Sequence, residues 1–309
     1  MSVSLTSYPR TSGGGGSGLV RFQGLLDALA AATALDMEGT ARDLLATLRS
    51  LSGTMSDADM VALAIKARDA MAVAKGRGWV AGSYFRDAML VCASHWMALH
   101  PDVAHTGLAR RAQGAVASRL AATTSVALRA SAEEAGTVAW LYQVSALLGE
   151  DVTATVARAP AAIAGTRYQA CAGGGVLDYL ECAASYNVNQ FLRIRLPDPA
   201  APALVIAGEA KGGASGYGVV KGPRAFMLAH GLRGTTISQR DMLYPLSRAA
   251  YMARANPADP ADPVGRARRE AGRAIVDARR DGVFMYLAVR GDIDMANRTV
   301  AGQWEEFKC

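Results

Sequence analysis

The feature that most restricts how this chain can fold is the apolar run Ala203-Leu-Val-Ile-Ala-Gly208, followed at once by Glu209-Ala-Lys-Gly-Gly213. A short apolar run closed by glycines reads as a buried strand. Side chains alternate across a strand, so Glu209 and Lys211 project from one face while Ala210 turns back into the core. A charge that emerges from buried surroundings is costly unless it is paired or bound to a metal. The spacing therefore predicts a site in which Glu209 is a metal ligand and Lys211 stabilises negative charge. The plain alternative is an ion pair that caps a strand at the surface.

The flanking sequence builds a domain around that strand. Pro197-Asp-Pro-Ala-Ala-Pro202 is a turn no strand can run through. With a strand from about 187 to 196 before it and 203–211 after it, the segment predicts a hairpin. A short helix over 176–184 should precede the hairpin. A Gly-rich loop (212–234), a helix (238–254), a Pro/Asp loop (256–263), a basic helix (264–280) and a buried strand (283–289) should follow. The turn 291–297 then leads to a last strand or tail ending at Trp304. Upstream, residues 1–18 read as a flexible tail. Residues 19–165 carry apolar residues at helical spacing, as in Leu44-Leu45-Leu48-Leu51 and Met60-Leu63-Ala64-Ala67-Met71, which predicts a bundle of about five to seven helices. Ser56 and Ser131, each followed by acids, are candidate helix starts. The expected fold class is α+β: an N-terminal all-α helical bundle, then an α/β domain with a mixed sheet over 166–309.

At 309 residues, half of them apolar, the chain can bury a substantial core and is not a disordered one. It has no window of roughly 18 uninterrupted apolar residues, which predicts no membrane span. A polar, Gly-rich start predicts no Sec-type signal. The expected location is cytoplasmic, or secreted without a Sec signal and acting in a target-cell cytoplasm. Cys92, Cys171, Cys182 and Cys309 show neither CxxC spacing nor the density of a disulfide framework, which suits a reducing compartment. The net charge of +6 sits mostly in the second half, with nineteen Lys/Arg against fourteen Asp/Glu from Gly165 onward. A basic excess of that size fits a polyanionic substrate and is common without one.

The hairpin ending in Glu-Ala-Lys resembles the core of the PD-(D/E)xK restriction-endonuclease-like nucleases. It is most similar to the restriction-fold toxin domains of bacterial polymorphic toxins and secreted effectors. The likeness covers roughly 170–300 and rests on Glu209-Ala-Lys-Gly-Gly-Ala-Ser215-Gly-Tyr-Gly218, then Gln239-Arg-Asp-Met-Leu-Tyr244. It implies a Mg²⁺- or Mn²⁺-dependent endonuclease, with DNA a better candidate substrate than RNA. Glu209 would be the metal ligand, Lys211 the water-activating cation, and Gln239 a further catalytic residue. Ser215, Tyr244 and Gln190 would touch substrate. A toxin of this kind would also have a cognate immunity protein, and the helical half could bind an export partner.

The first acid departs from the pattern. Pro197-Asp198 spells it literally, yet Asp198 belongs to the turn, far along the strands from Glu209. Where such toxins carry their Asp, this chain offers Asn189, Gln190 or Leu192, none of them acidic. Either an acid enters from the preceding helix, with Asp178 and Glu181 on adjacent turns as candidates and Asp178 preferred, or the site is degenerate. A degenerate site would leave a protein that binds nucleic acid or a protein partner without cleaving.

Other residues carry less. His95, His100 and His105 recur every five residues, which on a helix rotates each away from the last, so they form no ligand face. His230 could touch phosphate. Arg266, Arg268, Arg269, Arg273, Arg279 and Arg280 line either a nucleic-acid groove or a solvated face balanced by Glu270, Asp277 and Asp281.

Overall fold

A computed structural model describes residues 15–33, 35–81, 83–99, 107–148, 176–181, 188–198, 200–213, 215–222, 224–229, 236–254 and 263–307. The chain is α+β, with helices first and a mixed sheet second. It forms two compact units, Met1–Leu99 and His100–Cys309.

The first unit holds α1 (Gly15–Ala31), α2 (Met37–Leu51), α3 (Asp57–Gly76) and α4 (Tyr84–Leu99). Helix α1 starts inside the glycine run that the sequence suggested was tail. In α3, Met60, Ala64, Ala67, Met71 and Ala74 are all buried. That alternation of three and four residues turns a single face inward. Ser56 caps α3 as expected, its side chain accepting from the Asp59 N–H.

The second unit contains α5 (Gly107–Ala121) and α6 (Ser125–Leu148), which were expected in the N-terminal bundle. Both pack on the sheet, so the boundary between units lies near 100 instead of 165. Ser131 is interior to α6. The start of that helix is marked by Thr124, whose hydroxyl accepts from the Ala127 N–H.

The sheet runs β1 (Val176–Glu181), β2 (Gln190–Arg195), β3 (Leu204–Gly212), β6 (Phe284–Asp294) and β7 (Thr299–Phe307), in that order. All neighbours are antiparallel except β3 and β6, which are parallel. Between β3 and β6 come β4 (Val219–Lys221), α7 (Arg224–Ala229), β5 (Thr236–Ser238), α8 (Leu243–Arg254) and α9 (Pro263–Asp281). The antiparallel ribbon, the later helices and the buried strand follow in the expected order, with three changes, the first being that the stretch expected as a Gly-rich loop (212–234) contains β4 and α7. The segment at 176–181, expected as a helix, is a strand paired along β2 over its whole length. The segment starting at Ser238 enters a turn, and the helix begins only at Leu243.

The even-numbered face of β3 packs on α6. A Cβ at Gly208 would collide with the Trp140 indole, and one at Gly212 with the backbone of Ala132. Only glycine allows this close approach, so these glycines set the distance between helix and sheet. The odd-numbered face carries Glu209 and Lys211, and α9 packs along β3 and β6. Among the described residues no helix is long and apolar enough to cross a membrane.

Candidate active site at the end of strand β3

Glu209 is 1% exposed, near the C-terminal end of β3. Its register neighbour on β6 is Ala288, which leaves room beside the carboxylate. Three donors converge on it. Lys211 Nζ lies 2.6 Å from Oε1, Gln239 Nε2 donates to Oε1 at 2.5 Å, and Tyr244 Oη donates to Oε2 at 2.9 Å. Burial pushes the Glu209 carboxyl above its usual range, while Lys211 and then Tyr244 pull it back. Tyr244 is itself raised, first by burial and next by the neighbouring carboxylate.

Gln239 is the hub that joins the Gly-rich loop to the carboxylate. Its Oε1 accepts from the Gly218 N–H at 2.8 Å, and its own N–H donates to the Gly218 carbonyl at 2.9 Å. Tyr286 Oη, from β6, donates to the Gln239 carbonyl at 3.0 Å. The Arg248 guanidinium of α8 lies 5.1 Å from the Tyr244 ring centroid and donates to the Lys221 carbonyl.

Lys211 is 23% exposed at its side chain, so the site opens on the ammonium side. Its register partner on β6 is Arg290, whose guanidinium sits 5.8 Å from the Tyr217 ring centroid. Among the described residues, Arg290 Nε is buried without a hydrogen-bond partner. Arg290, Tyr217, Tyr286 and Arg248 were not anticipated. An arginine directly after the buried run 283–289 repeats the strand-end logic that singled out Lys211, and that was the available signal.

The structure brings Glu209, Lys211, Gln239 and Tyr244 together, and it separates the remaining candidates from them. Asp178 stands opposite Arg193, which stands opposite Val205. Glu209 is four residues further along β3, about 13 Å at 3.3 Å per residue. Asp178 is clamped by the Arg193 guanidinium and lies 3.8 Å from Arg195 Nη2. It is therefore an ion-paired core residue with no part in the carboxylate site. Glu181 pairs with Gln190, and its side chain lies outside the described residues. Gln190 pairs with Gly208, so it occupies the α6 face, where Nε2 donates to Thr137 Oγ1 at 3.2 Å. A register shifted by one residue would have put Gln190 on the Glu209 face, because one residue moves a side chain to the other face. Ser215 is exposed, its N–H bonded to the Gly212 carbonyl at 3.3 Å. His100, His105 and His230 lie outside the described residues.

Extending the register one residue beyond the Gln190–Gly208 pair brings Asn189 beside Glu209. The Asn189 N–H donates to the Gly208 carbonyl at 3.1 Å and its Nδ2 to the Ala210 carbonyl at 3.3 Å. Among the described residues, no group of three His, Cys, Asp or Glu could hold a metal ion. The oxygens assembled here are one carboxylate, one peptide carbonyl and one side-chain amide. Hard cations such as Mg²⁺ accept this donor class, and they are commonly held by one or two carboxylates together with substrate phosphate. The donor set fits a cation that shares its ligands with a phosphate. It does not fit a closed all-protein cage.

No family model, curated protein or solved structure matches the chain.

Proposed function

We propose that the chain is a metal-dependent phosphodiesterase that cleaves nucleic acid, DNA in the first instance, at the β3 site. The observation that carries this reading is the buried Glu209 carboxylate, with the Lys211 ammonium 2.6 Å away on its open side. The resemblance to restriction-fold toxin domains supports it, as does the order of elements around the ribbon. An antibacterial toxin or secreted effector, with its immunity and export partners, follows from that resemblance alone.

Glu209 Oε2, the Ala210 carbonyl and Asn189 Oδ1 would hold the ion. When bound, Mg²⁺ or Mn²⁺ offsets charge on the phosphate and lowers the pKa of a water. Lys211 neutralises charge that develops on the phosphate oxygens. The Tyr244 hydroxyl and Gln239 amide fix the carboxylate rotamer, so the acid is positioned before substrate arrives. Arg290 supplies a second cation level with Lys211, and its orphaned Nε–H suits a phosphate oxygen.

The test is plasmid nicking in Mg²⁺ or Mn²⁺ by wild type, Glu209→Gln and Lys211→Met, with each variant checked for folding. Cleavage lost in both variants supports the reading; full activity in both rejects it. The presence of only one carboxylate favours a second reading, a restriction-fold protein that holds nucleic acid without cutting it. That protein would bind DNA with the usual salt dependence. It would take up no Mn²⁺ by calorimetry, either alone or with a non-cleavable phosphorothioate oligonucleotide.

A further inference from the structure

Within the first unit, His95 meets two residues bounding the turn between α2 and α3, Ser52 and Asp57, in an order that no function yet uses. Ser52, the C-cap of α2, places Oγ 2.8 Å from His95 Nε2 on α4. His95 Nδ1 lies 2.6 Å from Oδ1 of Asp57, the first residue of α3. A carboxylate can only accept, so Nδ1 carries the proton, and Nε2 of the neutral ring is left to accept from the serine hydroxyl. An acid orienting an imidazole that in turn holds a hydroxyl is the arrangement that activates a serine. It is recognised by geometry and role, whatever the sequence order or fold.

Exposure runs in the useful direction. The His95 side chain is 11% exposed, which keeps the ring in place, while Ser52 is exposed and can be reached from solvent. Asp57 is the first residue of α3, directly after the cap residue Ser56. Ser56 caps the helix by accepting from the Asp59 N–H. Capping is thereby served by another side chain, and the Asp57 carboxylate is left to the histidine.

We infer that Ser52, His95 and Asp57 form a second, independent nucleophilic site that hydrolyses acyl esters. Ser52 Oγ bonds to the acyl carbon as its proton passes to His95 Nε2. The ester C–O bond breaks, and the leaving alkoxide takes that proton and departs as the alcohol. Water then gives a proton to the same nitrogen and attacks the acyl-serine. Release of the carboxylic acid returns the proton to Ser52. An ester is the fitting substrate class, because its alkoxide leaves more readily than the nitrogen anion that an unprotonated amide would have to expel. Asp57 is a positioning residue that acts through the ring.

The test uses the full chain with a fluorophosphonate probe, with p-nitrophenyl acetate as substrate. The expected result is one covalent adduct, mapped to Ser52 by mass spectrometry and absent in Ser52→Ala. That variant changes an exposed side chain, so it should fold normally. In His95→Ala, labelling should slow by about a hundredfold or more. In Asp57→Asn, ester turnover should show a lower kcat with KM held, a split that mere loosening of the bundle would not give. No adduct on Ser52 in the folded wild-type chain overturns the inference, as does labelling of His95→Ala at the wild-type rate.

Discussion

Asn189 brackets Glu209: its backbone N–H holds the Gly208 carbonyl and its side-chain amide holds the Ala210 carbonyl, at 3.1 and 3.3 Å. The peptide groups on both sides of the site carboxylate are thereby fixed by one residue of the neighbouring chain segment. The same residue occupies one of the three positions at which the resemblance expects the first acid. This chain has an amide there, so the site carries one less negative charge than the resemblance implies.

Asn189→Asp restores that charge. The variant should bind Mn²⁺ at least about tenfold more tightly by calorimetry, since each added carboxylate strengthens a hard-cation site. Without metal it should be less stable than wild type near neutral pH, because the new carboxylate faces Glu209. Mn²⁺ should reverse that loss in a thermal melt. Unchanged Mn²⁺ affinity would mean that position 189 does not border the ion.

Glu209 and Lys211 should have opposite effects on stability, with a defined pH dependence. Burial raises the Glu209 carboxyl in the folded chain, whereas the unfolded chain ionises at the ordinary value near 4.3. A raised folded-state value contributes stability below the unfolded value, and that contribution is lost as pH rises through the folded one. Glu209→Gln should therefore match wild type at about pH 4. At neutral pH it should be more stable by about 1 kcal/mol, since the buried charge is gone. Lys211→Met leaves the carboxylate without its counter-ion, and it should lose about 2 kcal/mol at neutral pH and much less in acid. Urea melts across the pH range read both.

The strand and its two charges were legible because a buried run ending in Glu-x-Lys leaves few other readings, and Gln239 and Tyr244 joined them through the resemblance. The first acid was not legible. Its placement depended on the register of a hairpin whose turn residues, Pro197 to Pro202, permit several pairings, and a shift of one residue exchanges Asn189 for Gln190. A helix was expected over 176–184 because a short stretch of mixed polarity satisfies either period. Pairing with β2, a tertiary fact, decides for the strand. The same limit hid the membership of α6. Its small residues Ala132, Ala135 and Gly136 read as bundle packing until the glycines of β3 and β6 appear against them.

Those glycines give a direct stability test. At Gly212 an added Cβ meets backbone, the Ala132 carbonyl, which cannot rotate away; at Gly208 it meets the Trp140 side chain, which can. Gly212→Ala should cost about 3 kcal/mol and Gly208→Ala about 1–2 kcal/mol, as overpacking does in tight interiors. Denaturant midpoints will rank them. The reverse order, or no loss in either, would mean that α6 is not seated on this face of the sheet.

Asp178 separates the observed site from the one that the motif alone would suggest. Its carboxylate is 9% exposed at the side chain and held by Arg193, remote from Glu209 along the strands. Asp178→Asn should leave Mn²⁺ binding and nicking within about twofold of wild type. It should lower stability by about 1–3 kcal/mol, because a half-broken buried pair leaves Arg193 without its counter-charge. Changing both partners, as Asp178→Asn with Arg193→Met, should recover part of that loss, since the orphaned cation is then gone. A metal-binding defect in Asp178→Asn, with stability unchanged, would place this acid in the ion's coordination and displace Asn189 from it.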